Sequence, residues 1–289
     1  MTNPTLDTFV CVHHRDIGYL LEVALRSYEV NFIPKGRLFL VTNDVPALRA
    51  FVEAQGIGGK ATLLRDEDCL SKAELELPGW YRQQIIKLRA GDFCETENFT
   101  NLGSDTVLLQ PVTQDDLLRD GFPLLSYTSH WLPDTHVRYE RSRVSHIGRI
   151  LQVDPVNARR YTDFIIDLFT FNRDLLQGLN AYMHTLYGPD PYAKLLAGVT
   201  RDSRRDAFGE WTLYSTYLLD VLKKDVPMRD THPDFLCQVH SRLGLRRCGF
   251  NTKIVHFVGK DFDVNYIKRQ IARRNRPLGL SLHASTAGG

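Results

Sequence analysis

The strongest constraint in this chain is the alternation of short β-branched runs with amphipathic stretches over its first third. Thr8-Phe-Val-Cys-Val-His13 is a brief apolar run, and Asp16 follows as a candidate N-cap for a helix through about Val30. Leu20, Leu21, Ala24, Leu25 and Tyr28 recur there at three-to-four-residue spacing, which gives one core-facing stripe. Pro34-Lys35-Gly36 turns the chain into a second strand, Arg37 to Thr42. Pro46 opens a further helix through about Gln55, Gly56 ends it, and Ala61 to Leu64 reads as a third strand. Strands separated by helices of this length pair in parallel through right-handed crossovers, so the class is α/β with a mostly parallel sheet flanked by helices. Ligands of such sheets bind beyond the carboxyl ends of the strands. The segment Val12-His13-His14-Arg15-Asp16 is therefore expected to form a pocket wall.

Composition narrows the function classes. The 289 residues are 43% hydrophobic and 24% charged, enough to bury a core without disulfide or metal staples. Residues 1–274 read as one domain without linker or repeat, and 275–289 as a polar, small-residue tail that is expected to be mobile. A net charge of +2, from 36 basic and 34 acidic residues, gives no bulk attraction to nucleic acid or membrane. Basic residues are not interleaved with aromatics as in nucleic-acid sites, and no apolar run reaches the ~20 residues of a membrane span. The five cysteines are scattered without a C-x-x-C pair, so no zinc site or disulfide framework is expected. With a polar N-terminus lacking an apolar signal core, this predicts a cytoplasmic protein, in which Asn98-Phe99-Thr100 is a chance sequon. The first strand ends in His-His-Arg-Asp, without the G-x-G-x-x-G of a dinucleotide site.

Further along, Asp66 to Pro78 reads as a loop, Gly79 to Leu88 as an amphipathic helix, and Phe99 to Leu102 and Thr106 to Leu109 as short strands. The second half predicts a strand at Leu124 to Tyr127, helices at Asn172 to His184 and Trp211 to Leu222, and a late strand at Thr252 to Val258. Between the two central short strands stands Gly103-Ser104-Asp105. A carboxylate on a tight turn at a sheet edge suits a divalent cation that neutralises a departing diphosphate, and Gly103 and Ser104 let the backbone approach a ligand closely. By itself such a triplet is also an ordinary turn. Arg82, Gln83, Gln84 and Lys87 share one helix, with 83 and 87 on one face; they serve either as a solvated surface or as ligand contacts. Glu210, just before a helix, is explained by the helix dipole or by general-base work. Arg141, Arg143, Arg149, Arg159 and Arg160 form a basic stretch that is either a solvated face or a grip for an anionic acceptor.

Several of these segments together resemble the GT-A glycosyltransferases, and in particular a bacterial group of glycosyltransferase-like proteins. Leu77-Pro-Gly-Trp-Tyr-Arg-Gln-Gln-Ile-Ile-Lys-Leu88 is similar to that group's G-W-x-x-Q-Q-x-x-K-L helix. Asn101-Leu-Gly-Ser-Asp-Thr-Val-Leu-Leu-Gln-Pro111 is similar to its strand ending in D-x-D before an apolar run and proline. Phe208-Gly-Glu-Trp-Thr-Leu-Tyr214 resembles an F-S-E-Y-x-x-Y pattern, and Val255-His-Phe-Val-Gly259 a late strand bearing a histidine. The resemblance implies transfer of a sugar from a nucleotide-diphosphate sugar, a UDP-sugar being favoured, to an acceptor hydroxyl with the help of Mn²⁺ or Mg²⁺. It implies Asp105 and His256 as metal ligands and Glu210 with Asp105 as catalytic groups. His13, Asp16, Gln84, Lys87, Gly103 and Ser104 would contact the donor, and Asp163, Asp167 and Asn172 would border the acceptor wall. The chain departs from the pattern at Gly103, where the D-x-D motif opens with aspartate. That departure keeps open an inactive GT-A binding or scaffold protein.

Overall fold

The computed structural model describes residues 5–18, 20–127, 134–161, 164, 168–197, 208–231, 236–239, 252–257 and 269, with backbone alone at 134–137, 236–239, 256 and 257. At its centre lies a five-stranded sheet. Strands β1 (Leu6–Val12), β2 (Lys35–Thr42), β3 (Ala61–Arg65) and β4 (Asn98–Leu102) are parallel, and β9 (Leu168–Asn172) is antiparallel to β4. The spatial order is β3-β2-β1-β4-β9. All seven residues of β1 are buried, because both sheet faces are covered. Phe9 and Cys11 face one apolar cluster, and Val10 and Val12 face the other. This is the period-two alternation of a strand.

Helices α1 (Leu20–Asn31) and α2 (Val45–Ala54) join the first three strands and pack their apolar stripes into the Val10 side. Helix α1 starts later than the sequence pattern predicts. Asp16 lies within a 3₁₀ turn, His14–Asp16, and Gly18 at φ +97° breaks the chain before the helix proper. Helix α2 is capped by Asp44, whose Oδ1 accepts from the Ala47 amide at 3.1 Å, and Gly56 at φ +72° follows its end. The opposite face is covered by α5 (Gly79–Arg89), α6 (Asp134–Ile150), α7 (Arg173–Tyr187) and α9 (Glu210–Thr216), which continues as a π-helical turn, Tyr217–Val221. Phe9, Tyr81, Phe99, Phe171 and Tyr214 are each fully enclosed here. Burying a side chain of this size is worth about 1.5–3 kcal/mol.

The stretch Asp66 to Pro78, expected as a loop, holds two short helices, α3 (Asp66–Cys69) and α4 (Lys72–Leu75). Each is closed by a capping box: Asp68 accepts from the Arg65 amide at 2.8 Å and Glu74 from the Ser71 amide at 2.9 Å. Short strands complete the frame. Strand β5 (Thr106–Leu108) pairs antiparallel with β12 (Ile254–Phe257), which pairs with β11 (Leu236–Val239). Strands β6 (Leu118–Arg119) and β7 (Phe122–Pro123) form a hairpin across Asp120-Gly121, both with positive φ, and β8 (Leu125–Tyr127) pairs with β10 (Met228–Asp230). Helix α8 spans Pro191–Leu196. Among the described residues, no helix is long and apolar enough to cross a membrane. The tail 275–289 lies outside the described residues.

One polar group is built into this core. Asp7 in β1 is 2% exposed, and its carboxylate accepts from the Arg37 amide at 2.8 Å, the Arg37 guanidinium at 2.8 Å and the Glu95 amide at 2.9 Å. Burial pushes its pKa up, but the hydrogen bonds from Arg37 and Glu95 outweigh it and hold the carboxyl below the usual range. Gly36 makes this approach possible. A Cβ there would lie 2.6 Å from Asp7 Oδ1 and 2.8 Å from the Leu6 carbonyl carbon.

Candidate functional site

The strand order reverses between β1 and β4. From β1 the chain winds through β2 to β3 on one side, then returns to lay β4 on the other. Such a reversal leaves a crevice at the carboxyl ends of the two strands, where side chains from both loops converge. The parallel register sets Phe9 opposite Asn101, so His13 and Asp105 each lie four residues beyond that pair. The two sequence-predicted segments thus meet at one edge of the sheet.

On the β4 side, Gly103, Ser104 and Asp105 are half-buried in a turn closed by the Thr106 amide donating to the Gly103 carbonyl at 3.1 Å. Strand β5 then pairs with β12 so that Thr106 stands opposite His256. Directly opposed residues of an antiparallel pair have Cα atoms about 4.5–5.5 Å apart. The backbone of His256 is therefore beside the residue that follows Asp105, although its ring lies outside the described atoms. Among the described residues, no three His, Cys, Asp or Glu side chains cluster as a metal site. One carboxylate and one imidazole fit an octahedral cation that takes its remaining ligands from phosphate oxygens and water.

On the β1 side, the His13 ring packs on His14 with centroids 4.1 Å apart, and His13 Nδ1 accepts from the Arg15 amide at 3.2 Å. Asn43, at the end of β2, ties this turn down: its Oδ1 accepts from the His14 amide at 3.0 Å and its Nδ2 meets His14 Nδ1 at 2.8 Å. A narrow cleft of about 10 Å³, room for a single water, lies here, lined by Cys11, His13, Asn43, Asp66, Arg82 and Gln83 among others. Asp66 and Arg82 face each other at 3.6 Å. Burial raises the Asp66 pKa and the Arg82 charge offsets part of that rise. Cys11, Asn43 and Asp66 carry no motif signal; only their positions at strand ends mark them.

Helix α5 divides its polar residues between two neighbours. Arg82 and Gln83 line the cleft, whereas Gln84 and Lys87, expected to point at a nucleotide or phosphate, meet Glu210. Lys87 Nζ donates to Glu210 Oε1 at 2.7 Å and sits 4.4 Å from the centroid of the Trp211 ring. The Gln84 side-chain amide faces the same carboxylate and donates to it through its nitrogen. The Glu210 side chain is 2% exposed and that of Lys87 14%. Burial drives the Cys11 thiol up to about 12, and the Lys87 charge pulls in the other direction. At rest the Glu210 carboxylate is occupied by these two donors.

The basic stretch does not act as a unit. Arg143 is buried, donating to Glu140 at 2.8 Å and to the Tyr139 hydroxyl at 2.8 Å. Arg159 pairs with Asp154 at 2.8 Å, Arg141 and Arg149 are exposed on α6, and Arg160 lies at a separate cleft. Asn172 is a helix cap, its Oδ1 accepting from the Leu175 amide at 3.2 Å. Asp163 and Asp167 lie outside the described residues.

Residues 19–246 match the model of a family described as of unknown function, DUF6492. The chain belongs to this family. None of the curated proteins matches the sequence. Among solved structures it is similar to the galactosyltransferase LgtC in complex with donor and acceptor sugar analogs, at 12% identity and TM-score 0.50, over 93% of this chain and 96% of the other. An active-site mutant of LgtC gives 14% identity and TM-score 0.52 over the same shares. Mouse xyloside xylosyltransferase 1 in its apo form gives 14% and 0.50, over 87% of this chain and 97% of that one. At such identities the likeness establishes the fold, which is that of the GT-A glycosyltransferases.

Proposed function

We propose that this chain transfers a sugar from a nucleotide-diphosphate sugar, with UDP-sugars favoured, to an acceptor hydroxyl. The observation that carries the reading is the meeting of the β1 turn and the Gly103-Ser104-Asp105 turn at the strand-order reversal, with the backbone of His256 registered opposite Thr106, the residue after Asp105. In the reaction the bond from the anomeric carbon to the diphosphate breaks, the diphosphate leaves with the electron pair, and the acceptor oxygen takes its place while losing a proton. Asp105 and His256 would hold Mn²⁺ or Mg²⁺, which supplies positive charge for the departing diphosphate. His13, Asp16, Gly103 and Ser104 would border the donor. Asn43 and Asp66, around the narrow cleft beside His13, would offer hydrogen-bonding groups to a donor lying across its mouth, and Arg82 a charge for phosphate. Glu210, held by Lys87 and Gln84, would take the acceptor proton only after releasing Lys87; as found, it fixes the Lys87 ammonium.

Gly103 supports a second reading, a GT-A protein that binds without turning over, because the opening carboxylate of the motif is missing. Calorimetric titration with UDP-sugars and GDP-sugars, with and without Mn²⁺, separates the two. Binding that requires Mn²⁺ and disappears in Asp105→Ala, followed by release of UDP in the presence of acceptors, supports the transferase. Absence of nucleotide binding sinks it, and metal-dependent binding without turnover favours the second reading.

A further inference from the structure

A second cleft, of about 290 Å³, lies at the far end of α9 from the crevice. Its position follows from helix geometry, since Glu210 and Val221 are on the order of 15 Å apart along the axis at a rise of about 1.5 Å per residue. One wall is the end of the π-helical turn and the other is the segment Asn157 to Tyr161. Asp220, 7% exposed, fastens them together: its carboxylate accepts from the Asn157 amide at 2.7 Å and the Ala158 amide at 2.9 Å. Asn157 Nδ2 donates in turn to the Leu219 carbonyl at 3.0 Å. The walls are thus fixed by buried hydrogen bonds, and the half-buried Tyr161 ring is steadied by Tyr127 at 4.8 Å.

Three cations, Arg160, Lys223 and Lys224, surround this opening, and among the described residues none of them is in an ion pair. Asp225 also lines the cleft. Three exposed cations against one acid leave the lining with a net charge of +2, which a bound anion offsets. Lys223 adds a second sign. Its φ of +52° and the bonds from Leu222 N to Tyr217 O and from Lys224 N to Leu218 O, both 2.9 Å, make it the left-handed residue that closes a helix. Glycine ordinarily fills that position because an L side chain costs about 1–2 kcal/mol there. Here the backbone tolerates the strain with a residue whose side chain lines the cleft.

We propose that this cleft binds a phosphorylated saccharide. The cations receive the phosphate through charge-assisted hydrogen bonds, the face of Tyr161 receives the C–H face of the sugar, and Asp225 accepts from its hydroxyls. The volume sits at the small end of the ~300–1,000 Å³ range of ligand pockets, suited to a monosaccharide phosphate. The same chemistry is carried by a free sugar phosphate and by the phosphorylated sugar headgroup of a lipid. Val156, 51% exposed, and Leu222, 39% exposed, flank the cleft and would meet the bilayer in the second case. This site is independent of the transferase reading.

The test titrates the full chain with glucose 6-phosphate, glucose and inorganic phosphate, and floats it with phosphatidylcholine vesicles with or without phosphatidylinositol 4-phosphate. Glucose 6-phosphate or the phosphoinositide vesicles are expected to bind, weakening with salt, and glucose is not; which of the two binds identifies the source. Arg160→Ser and Lys223→Gly should each weaken binding about tenfold, the loss of one charge-assisted contact. Lys223→Gly should at the same time leave Tm unchanged or raised, because glycine relieves the strained backbone, so misfolding does not confuse the result. Failure of both phosphorylated probes to bind overturns the proposal. So does wild-type affinity in both variants, or phosphate binding that the sugar does not improve.

Discussion

Replacing Lys87 by methionine tests whether the Lys87–Glu210 pair organises the region behind the crevice. Methionine keeps most of the stem volume, so the change removes charge with little packing loss. Taking away one partner of a buried ion pair costs about 3–5 kcal/mol, because the other charge stays desolvated. Two features set the value here at the lower end. Lys87 retains 14% side-chain exposure, and Gln84 still faces the carboxylate. That cost already includes the lost contact of the ammonium with Trp211, at 4.4 Å, worth about 0.5–2 kcal/mol. A destabilisation of about 3 kcal/mol follows, which corresponds to a fall in Tm of roughly 6–12 °C for a chain of this size class. Urea unfolding monitored in parallel by circular dichroism and tryptophan fluorescence measures it, and coincident transitions license the two-state treatment. Glu210→Gln added to Lys87→Met should recover most of the loss, with a coupling of about 2 kcal/mol. A single-variant loss under about 1 kcal/mol with strictly additive effects would refute the argument that the pair is desolvated and mutually dependent.

The remaining expectations are briefer. Gly36→Ala forces a Cβ to 2.6 Å from Asp7 Oδ1 and 2.8 Å from the Leu6 backbone, and should cost about 1–3 kcal/mol in urea unfolding; an unchanged midpoint contradicts the close approach. The folded pKa of Asp7 is depressed, so its contribution is present above the unfolded value of about 3.9 and is lost as pH falls through the folded value. Asp7→Asn should therefore lower stability at neutral pH and flatten the acid limb of the stability profile, as read by Tm against pH. Cys11, raised to about 12 by burial, should resist iodoacetamide at pH 8 in the native protein and react after unfolding, as counted by mass spectrometry. Gly103→Asp, at a backbone position without positive φ, should tighten Mn²⁺ binding about tenfold by paramagnetic titration if Asp105 is a metal ligand.

How much of this was legible in advance varied along the chain for physical reasons. The first three strands and two helices were readable because their apolar residues repeat at local periods, and local periods survive in sequence. The Ser71-Lys-Ala-Glu74 capping box was equally legible as S-x-x-E, but the helix it starts is only one turn long and has no stripe to announce it. Strand β9 is not legible, because a short apolar run such as Leu168 to Asn172 does not by pattern alone separate a strand from a buried helix segment; β4 offers it the edge that makes it a strand.

By itself the sequence determined the α/β class and the parallel order of its opening, since helix and strand periods admit no other packing of those segments. It also marked Asp105 and the His13 turn as candidates. The tertiary structure decided that β4 returns beside β1, bringing those two turns to one crevice across a gap of about ninety residues. It decided as well that Lys87 and Gln84 meet Glu210, while Arg82 and Gln83 turn to the cleft. Adjacent positions on a helix point about 100° apart, so which neighbour each one meets depends on what packs against the helix and not on the helix itself.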